Sequence, residues 1–185
     1  MAGLCALFMV FMISFSITQI VEVGRWTDLF PFNEAHYIIN SDRYIVGMTS
    51  HGFVIYDSQN GKVTKLTKTN GLSDVDITKA GIYRKSMLVV AYKSGLIDIV
   101  DIENRTVETV PFLPESQIIQ NPSINDLLVS GDSAILAIEN GIITFDLPSR
   151  SFKNVYYIAG NKFKPARFVS SSGDTLFVLS DSALW

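Results

Sequence analysis

The segment YIVGMTSHGFVIYDSQNGKV, residues 44–63, sets a pattern that the chain repeats. An apolar run leads through a short polar turn to Gly52, and a second apolar run then ends at Asp57. Valine, isoleucine, phenylalanine and tyrosine dominate both runs, and these residue types favour strands. Two such runs joined by a turn that closes on glycine are typical of a β-hairpin.

The same pattern returns twice in full and once in part. The full copies are MLVVAYKSGLIDIVDIENRTV from residue 87 and SAILAIENGIITFDLPSRSF from residue 133, and the part copy is TLFVLSDSALW from residue 175. The glycines at 52, 95 and 141 lie 43 and 46 residues apart, and Ala183 follows 42 residues later. A period of about 40 to 50 residues with four strands per unit is the signature of β-propeller blades.

Each unit can be divided into four strands, from an inner to an outer one. The predicted strands are 36–40, 43–49, 52–57 and 62–67; 77–83, 87–92, 96–101 and 106–110; 124–130, 134–138, 142–146 and 155–158; then 166–170 and 175–179. The second strand of each unit is almost wholly apolar, as expected of a strand covered on both faces. The predicted fold class is therefore all-β, a β-propeller with about four blades of four antiparallel strands. A β-sandwich also uses short strands, but the regular period argues against it.

Glycine, aspartate and asparagine mark the predicted turns of the blades. Glycine supplies positive φ in a hairpin, and aspartate closes the third strand and starts the next turn. The predicted turn residues are Gly52, Gly95, Gly141, Asp57, Asp101, Asp146, Asn70 and Gly71. The last two belong to TKTNGLSD, residues 67–74, which we interpret as the crossover between the first two blades. Leu72 would fill the seam between the sheets, and Ser73 and Asp74 would bond local backbone N–H groups.

The N-terminus carries a different signal. Residues 3–17, GLCALFMVFMISFSI, contain no charge and are too short for a membrane span, which needs about 20 residues. They predict a signal peptide over 1–19, with an uncleaved anchor or a buried core segment as alternatives. Residues 20–34 then lead into the propeller, and 35–185 form blades 1–4, the fourth incomplete. Because four sheets make an open arc, we expect the N-terminal fragment of a longer protein.

Composition excludes several classes of function. The net charge is −3, so no basic field is available to hold nucleic acid. The single cysteine, Cys5, lies inside the apolar leader, so the mature chain has no thiol for catalysis or metal binding. Trp26, Phe30, Pro31 and Phe32 form an aromatic cluster that either packs against the ring or stacks on a sugar.

The sequence contains little that indicates a catalytic site. His36 and His51 are the only histidines, and no phosphate loop, nucleophile elbow or metal-ligand spacing is present. Asp98 and Asp101 are three residues apart on one strand, so they point to opposite faces and we interpret them as an edge charge and a turn residue. We therefore expect no enzyme and no cofactor. A propeller lyase or hydrolase would have to use residues of the inner strands, mainly His36, Asp76 and Asp126.

The ordered series of an apolar leader, VGRWTDLFPFNEAHYI, GFVIYD, LTKTNGLSDVDI and LVVAYKSGLIDIVD resembles the start of the β-propeller family of the type IX secretion system. The resemblance runs from about residue 23 to 185. It implies two seven-bladed propellers with a C-terminal β-sandwich, a place at the outer-membrane surface, and delivery of anionic lipopolysaccharide to the sortase. It implies partnership with the sortase and other secretion proteins, and it assigns no binding residue here.

A second family shares the NGLSD motif: the periplasmic propellers of hybrid two-component sensors. Their repeats often carry a tryptophan after the glycine, and the corresponding runs YIVGMTSHGF and LVVAYKSGL lack it. The alternative function is therefore a sensor domain that binds a glycan. Both interpretations predict an exported protein of the periplasm or cell surface.

Overall fold

The computed structural model describes residues 32–110, 122–160, 164–181 and 183–185. The predicted signal peptide, Cys5, and Trp26, Phe30 and Pro31 of the predicted aromatic cluster lie outside these ranges. The strands within them are β1 (Tyr37–Asn40), β2 (Tyr44–Met48), β3 (Gly52–Asp57), β4 (Lys62–Thr67), β5 (Ile77–Tyr83), β6 (Met87–Tyr92), β7 (Ile97–Asp101), β8 (Thr106–Val110), β9 (Ile124–Ser130), β10 (Ser133–Ile138), β11 (Gly141–Asp146), β12 (Ser151–Tyr156), β13 (Phe168–Ser172), β14 (Thr175–Ser180) and β15 (Ala183–Leu184). Two 3₁₀ turns, Lys68–Asn70 and Ile158–Gly160, follow β4 and β12.

The strands form four antiparallel sheets in chain order. The first three sheets contain four strands each, β1 to β4, β5 to β8 and β9 to β12, and the fourth contains β13 to β15. The inner strands β1, β5, β9 and β13 contact one another in sequence, so the sheets fan out from a common axis. This is the arrangement of propeller blades, and the predicted all-β propeller arc is confirmed.

Strand β6 shows why this sequence needs neighbouring sheets on both sides. Its residues Leu88 to Tyr92 are all fully buried. Alternate side chains along a strand point to opposite faces. Val89 and Ala91 accordingly belong to the core between the second and third sheets, whereas Leu88, Val90 and Tyr92 belong to the core between the first and second. An apolar strand without alternation is therefore the consequence of two cores sharing one sheet.

Each seam between sheets has its own apolar core. The first seam is filled by residues such as Val46, Phe53 and Val100, and the second by Leu136, Phe145 and others. A third cluster, which includes Ala137, Ile142 and Val178, joins the third sheet to the fourth. Among the described residues, apolar side chains are exposed on the outer faces of the two end sheets, including Ile38, Ile45, Tyr56, Phe168, Phe177 and Leu179.

Two predicted strands were displaced along the chain. The inner strand of the fourth sheet was predicted at 166–170, but β13 spans Phe168–Ser172. The outer strand of the third sheet was predicted at 155–158, but β12 spans Ser151–Tyr156. The apolar run VYYI suggested the later position, whereas pairing begins directly after the turn, where Phe152 lies opposite Phe145 with ring centroids 4.9 Å apart. Polar residues such as Lys153 are tolerated in β12 because this outer strand is largely exposed.

Candidate functional site

The crossover between the first two sheets, residues 67–74, starts with a hydrogen-bonded turn. The backbone N–H of Thr67 donates to Oδ1 of Asn70 at 2.6 Å, and Nδ2 of Asn70 donates to the carbonyl of Lys65 at 2.9 Å. Gly71 follows with φ at 150°, a conformation that favours glycine. Leu72 is only 3% exposed and packs in the first seam. The crossover is therefore fixed to both sheets that it joins.

Asp98, on β7, anchors this crossover from the second sheet. Ser73 donates to it twice, from its backbone N–H at 2.8 Å and from its hydroxyl at 2.7 Å. The hydroxyl of Tyr92 donates at 2.6 Å and that of Thr109 at 2.9 Å. Asp98 is fully buried, so the interpretation of it as an edge charge was wrong. Ser73 likewise bonds this distant carboxyl group and not local backbone, whereas Asp74 does accept from the N–H of Val75.

The protonation state of Tyr92 supports this network. Burial, and then the hydrogen bond to Asp98, raises the pKa of Tyr92 well above its ordinary value. The phenol therefore keeps its proton at physiological pH and remains a donor to Asp98. One signal in the sequence pointed to the network, because a buried acid within the apolar strand run LIDIVD has to find several donors. The identity of those donors was missed, because Ser73 is 25 residues away in sequence.

The three predicted turn aspartates occupy equivalent positions at the ends of β3, β7 and β11. Each accepts a backbone N–H from the turn that follows: Asp57 from Gln59, Asp101 from Glu103 and Asn104, and Asp146 from Ser149. Four residues after each aspartate the backbone is left-handed, with φ of 68° at Gly61, 57° at Arg105 and 54° at Arg150. The turns thus share one backbone shape, although only the first uses glycine at the left-handed position.

The predicted hairpin glycines differ from one another in backbone conformation. Gly95 and Gly141 have positive φ, at 88° and 120°, whereas Gly52 does not lie in that region. A Cβ on Gly52 would approach the carbonyl oxygen of Leu66 to 2.5 Å, and one on Gly141 would collide with the carbonyl of Tyr156. Close approach of the outer strand is therefore the reason for glycine at position 52, and φ adds a second reason at 141.

Of the polar residues predicted on the inner strands, Asp126 lies in β9, and His36 and Asp76 lie just before β1 and β5. Asp126, 7% exposed, accepts from the backbone N–H of Val169 on the fourth sheet at 3.0 Å and lies 3.8 Å from Nζ of Lys79. His36 Nε2 lies 3.0 Å from the hydroxyl of Ser50, and Asp76 is exposed. In the part of the chain that the structure describes, no group of His, Cys, Asp and Glu side chains is arranged to hold a metal ion.

A cleft of about 350 Å³ opens in the first seam, between the β3–β4 hairpin and the β7–β8 hairpin. Arg43 and Asp57 line the cleft and form an ion pair, in which Arg43 donates to both carboxylate oxygens of Asp57 at 3.0 and 2.8 Å. Arg43 also donates to Glu103 across the seam at 3.0 Å. The hydrogen bond to Asp57 raises the pKa of Arg43 and lowers the pKa of Asp57 below its ordinary value. Both side chains therefore remain charged over the physiological range.

The sheets and seams define a β-propeller arc, and comparison with known families identifies the family of the chain. A family model for the N-terminal β-propeller domain of PorZ, of the type IX secretion system, matches residues 44–185. The chain belongs to this family of type IX secretion propellers. No curated protein matches the sequence. Among the described residues no helix is long and apolar enough to cross a membrane.

Solved structures show the same fold. PorZ of Porphyromonas gingivalis, described as an essential bacterial surface component of its type IX secretion system, is 23% identical with a TM-score of 0.70, over 87% of this chain and 21% of PorZ. The extracellular domain of the one-component system BT4673 from B. thetaiotaomicron is 17% identical with a TM-score of 0.66, over 85% of this chain and 21% of that one. The designed protein Ika4 is 11% identical with a TM-score of 0.62, over 86% of this chain and 94% of the Ika4 chain. The chain thus spans about a fifth of each natural relative.

Proposed function

We propose that the protein is a non-enzymatic surface component of type IX secretion that presents anionic lipopolysaccharide to the sortase for anchoring of cargo. The match of residues 44–185 to the PorZ propeller family is the observation that carries this proposal. The contacts of two polar residues support a scaffold, since Asp126 of β9 holds the neighbouring sheet and His36, just before β1, bonds Ser50. The apolar leader over residues 3–17 supports export to the cell surface.

The test is deletion of the gene in the bacterium that makes the protein, followed by analysis of sortase cargo. We expect cargo to lose its lipopolysaccharide anchor, seen as loss of the high-mass smear on immunoblots and release into the medium. Expression of the wild-type gene in trans should restore anchoring. Cargo that stays processed and anchored in the deletion strain would show that the delivery function is wrong.

The likeness to the extracellular domain of BT4673 favours a second candidate, a sensor domain that binds a glycan. The same deletion strain separates the two functions. A sensor predicts that growth on a particular glycan no longer induces a set of transcripts, while cargo anchoring stays normal. A secretion component predicts the opposite pair of results.

A further inference from the structure

We propose that the cleft in the first seam binds an acidic sugar residue, held by Lys62, Lys65 and Arg105 above an apolar floor. The proposal rests on the function proposed above, because such a residue would belong to the anionic polysaccharide that the protein presents. It adds the place of binding, which the family match does not assign.

The floor of the cleft suits one face of a sugar ring. Tyr44, Ile55 and Val100 line it and are no more than 6% exposed, and the partly buried Leu66 and Val107 lie beside them. Pockets for small molecules commonly combine apolar walls with a few polar groups and have volumes from about 300 Å³ upward. A cleft of about 350 Å³ therefore has room for one or two sugar residues.

The acidic side chains that line the cleft are already satisfied. Asp57 accepts from Arg43 on both oxygens and also from Gln59 and Asn60. Asp101 accepts from two backbone N–H groups and from Nδ2 of Asn104. Glu103 pairs with Arg43. These oxygens stabilise the hairpins, so they are poor acceptors for a further cation.

In contrast, basic side chains of the rim remain available to bind an anion. Within residues 32–110, 122–160, 164–181 and 183–185, Lys62 and Arg105 form no ion pair, and both are exposed. Nζ of Lys65 lies 4.4 Å from the ring centroid of Phe32, a contact that leaves its N–H groups available. The lining has four basic side chains and three acidic ones, so it is positive on a chain of net charge −3. An anionic group is the complement of this rim.

The repeat provides an internal comparison, because every seam of a propeller widens towards its outer strands. If the cleft were only a product of blade geometry, the corresponding positions of the other outer strands would carry the same residue types. The positions that match Lys62 and Lys65, counted from the turn aspartate, are Thr106, Thr109, Ser151 and Asn154. At the second seam Arg150 pairs with Glu108 at 2.9 Å. Among the described residues, uncommitted cations above an apolar floor therefore occur at the first seam and not at the corresponding positions of the second seam.

The binding test uses matched probes on the purified full chain. The probes are an oligosaccharide of alternating glucose and glucuronate, the same oligosaccharide after reduction of its carboxyl groups, and lipopolysaccharide from the source cells. The test variant carries Lys62→Gln and Arg105→Asn, since asparagine tolerates the left-handed φ of 57° at position 105. The control variant, Lys85→Gln with Lys153→Gln, removes two exposed charges outside the cleft.

We expect the acidic oligosaccharide to bind in isothermal titration calorimetry and to bind about tenfold more weakly to the test variant, which is the loss of two charged contacts. The control variant should bind like the wild type, and added salt should weaken binding. Lipopolysaccharide that binds while the free oligosaccharide does not, with the same loss in the test variant, would support the lipid-linked source. Equal binding of the reduced probe, or unchanged binding to the test variant, would overturn the cleft as an acidic-sugar site.

The two proposals fail in different experiments. If neither acidic probe binds the purified protein, the cleft proposal is wrong, while cargo anchoring in the deletion strain still decides the delivery function. If cargo stays anchored in the deletion strain, the delivery function is wrong whatever the cleft binds.

Discussion

Replacement of Asp98 tests whether the buried network holds the first two sheets together. In Asp98→Ala the backbone N–H of Ser73 and the hydroxyl of Tyr92 lose their acceptor, and Tyr92 is fully buried. Each orphaned buried donor costs about 1–3 kcal/mol. The hydroxyls of Ser73 and Thr109 lie 2.5 Å apart and can bond each other, so they add little. We expect a loss of about 3–5 kcal/mol in the free energy of unfolding.

Asp98→Asn should cost much less, about 1–2 kcal/mol. The amide oxygen can still accept from the Ser73 N–H and the Tyr92 hydroxyl, while its NH₂ group donates to the hydroxyls of Ser73 and Thr109. The control is Asp101→Ala on the same strand, which removes turn hydrogen bonds at a partly buried site and should cost about 1 kcal/mol.

The assay is urea unfolding followed by circular dichroism, with trypsin cleavage after Lys68 as a local readout. Lys68 lies in the crossover that Ser73 ties to Asp98, so cleavage should be faster in Asp98→Ala than in Asp98→Asn. A loss below about 1 kcal/mol for Asp98→Ala, or one no larger than that of Asp101→Ala, would refute the network as the anchor of the crossover.

Three further perturbations test the turns. Gly52→Ala should lower the free energy of unfolding in urea by about 1–3 kcal/mol, because the added Cβ meets the carbonyl oxygen of Leu66 at 2.5 Å. A change within about 0.5 kcal/mol, which is typical of a neutral surface substitution, would contradict this. Arg105→Gly should raise the melting temperature, because it relieves about 1 kcal/mol of left-handed backbone strain. Arg150→Gly should raise the melting temperature less, because it also loses the ion pair with Glu108. Equal increases in melting temperature would argue against a contribution from this ion pair. The hydrogen bond from Arg43 lowers the pKa of Asp57 below 3.8, so the stability that it contributes is present above about pH 4 and is lost as the pH falls through the folded-state pKa. Unfolding at a series of pH values should show a smaller acid loss for Asp57→Asn, and an identical acid loss would be inconsistent with this pair.

The hairpins could be predicted from the sequence because repetition and composition agree. Strands β3, β4 and β5 have the predicted bounds, and each is bordered by a turn residue that stops it. Where the apolar run and the turn residue indicated different positions for a strand, the predicted bounds were wrong. At β12 the apolar run VYYI outweighed the turn at 147–150, although an exposed outer strand does not need apolar residues.

Contacts between sheets could not be predicted from the sequence. Arg43 gives no local sign that it would reach Glu103 across the first seam, 60 residues away. For Asp98, strand alternation predicts which face the side chain points to but not what covers that face. The cleft depends on the spacing of two hairpins from different sheets, so no single motif could have indicated it.

The sharing of β6 between two cores has a consequence for how the molecule unfolds. A substitution at Val90 weakens the seam with the first sheet, and one at Val89 weakens the seam with the third, although the two residues are adjacent. A sheet that loses either neighbour exposes an apolar face, so opening at one seam lowers the cost of opening at the next. Amide exchange should therefore be slowest in β6 and β10 and should quicken in both when either seam is weakened, with the arc behaving as one cooperative unit.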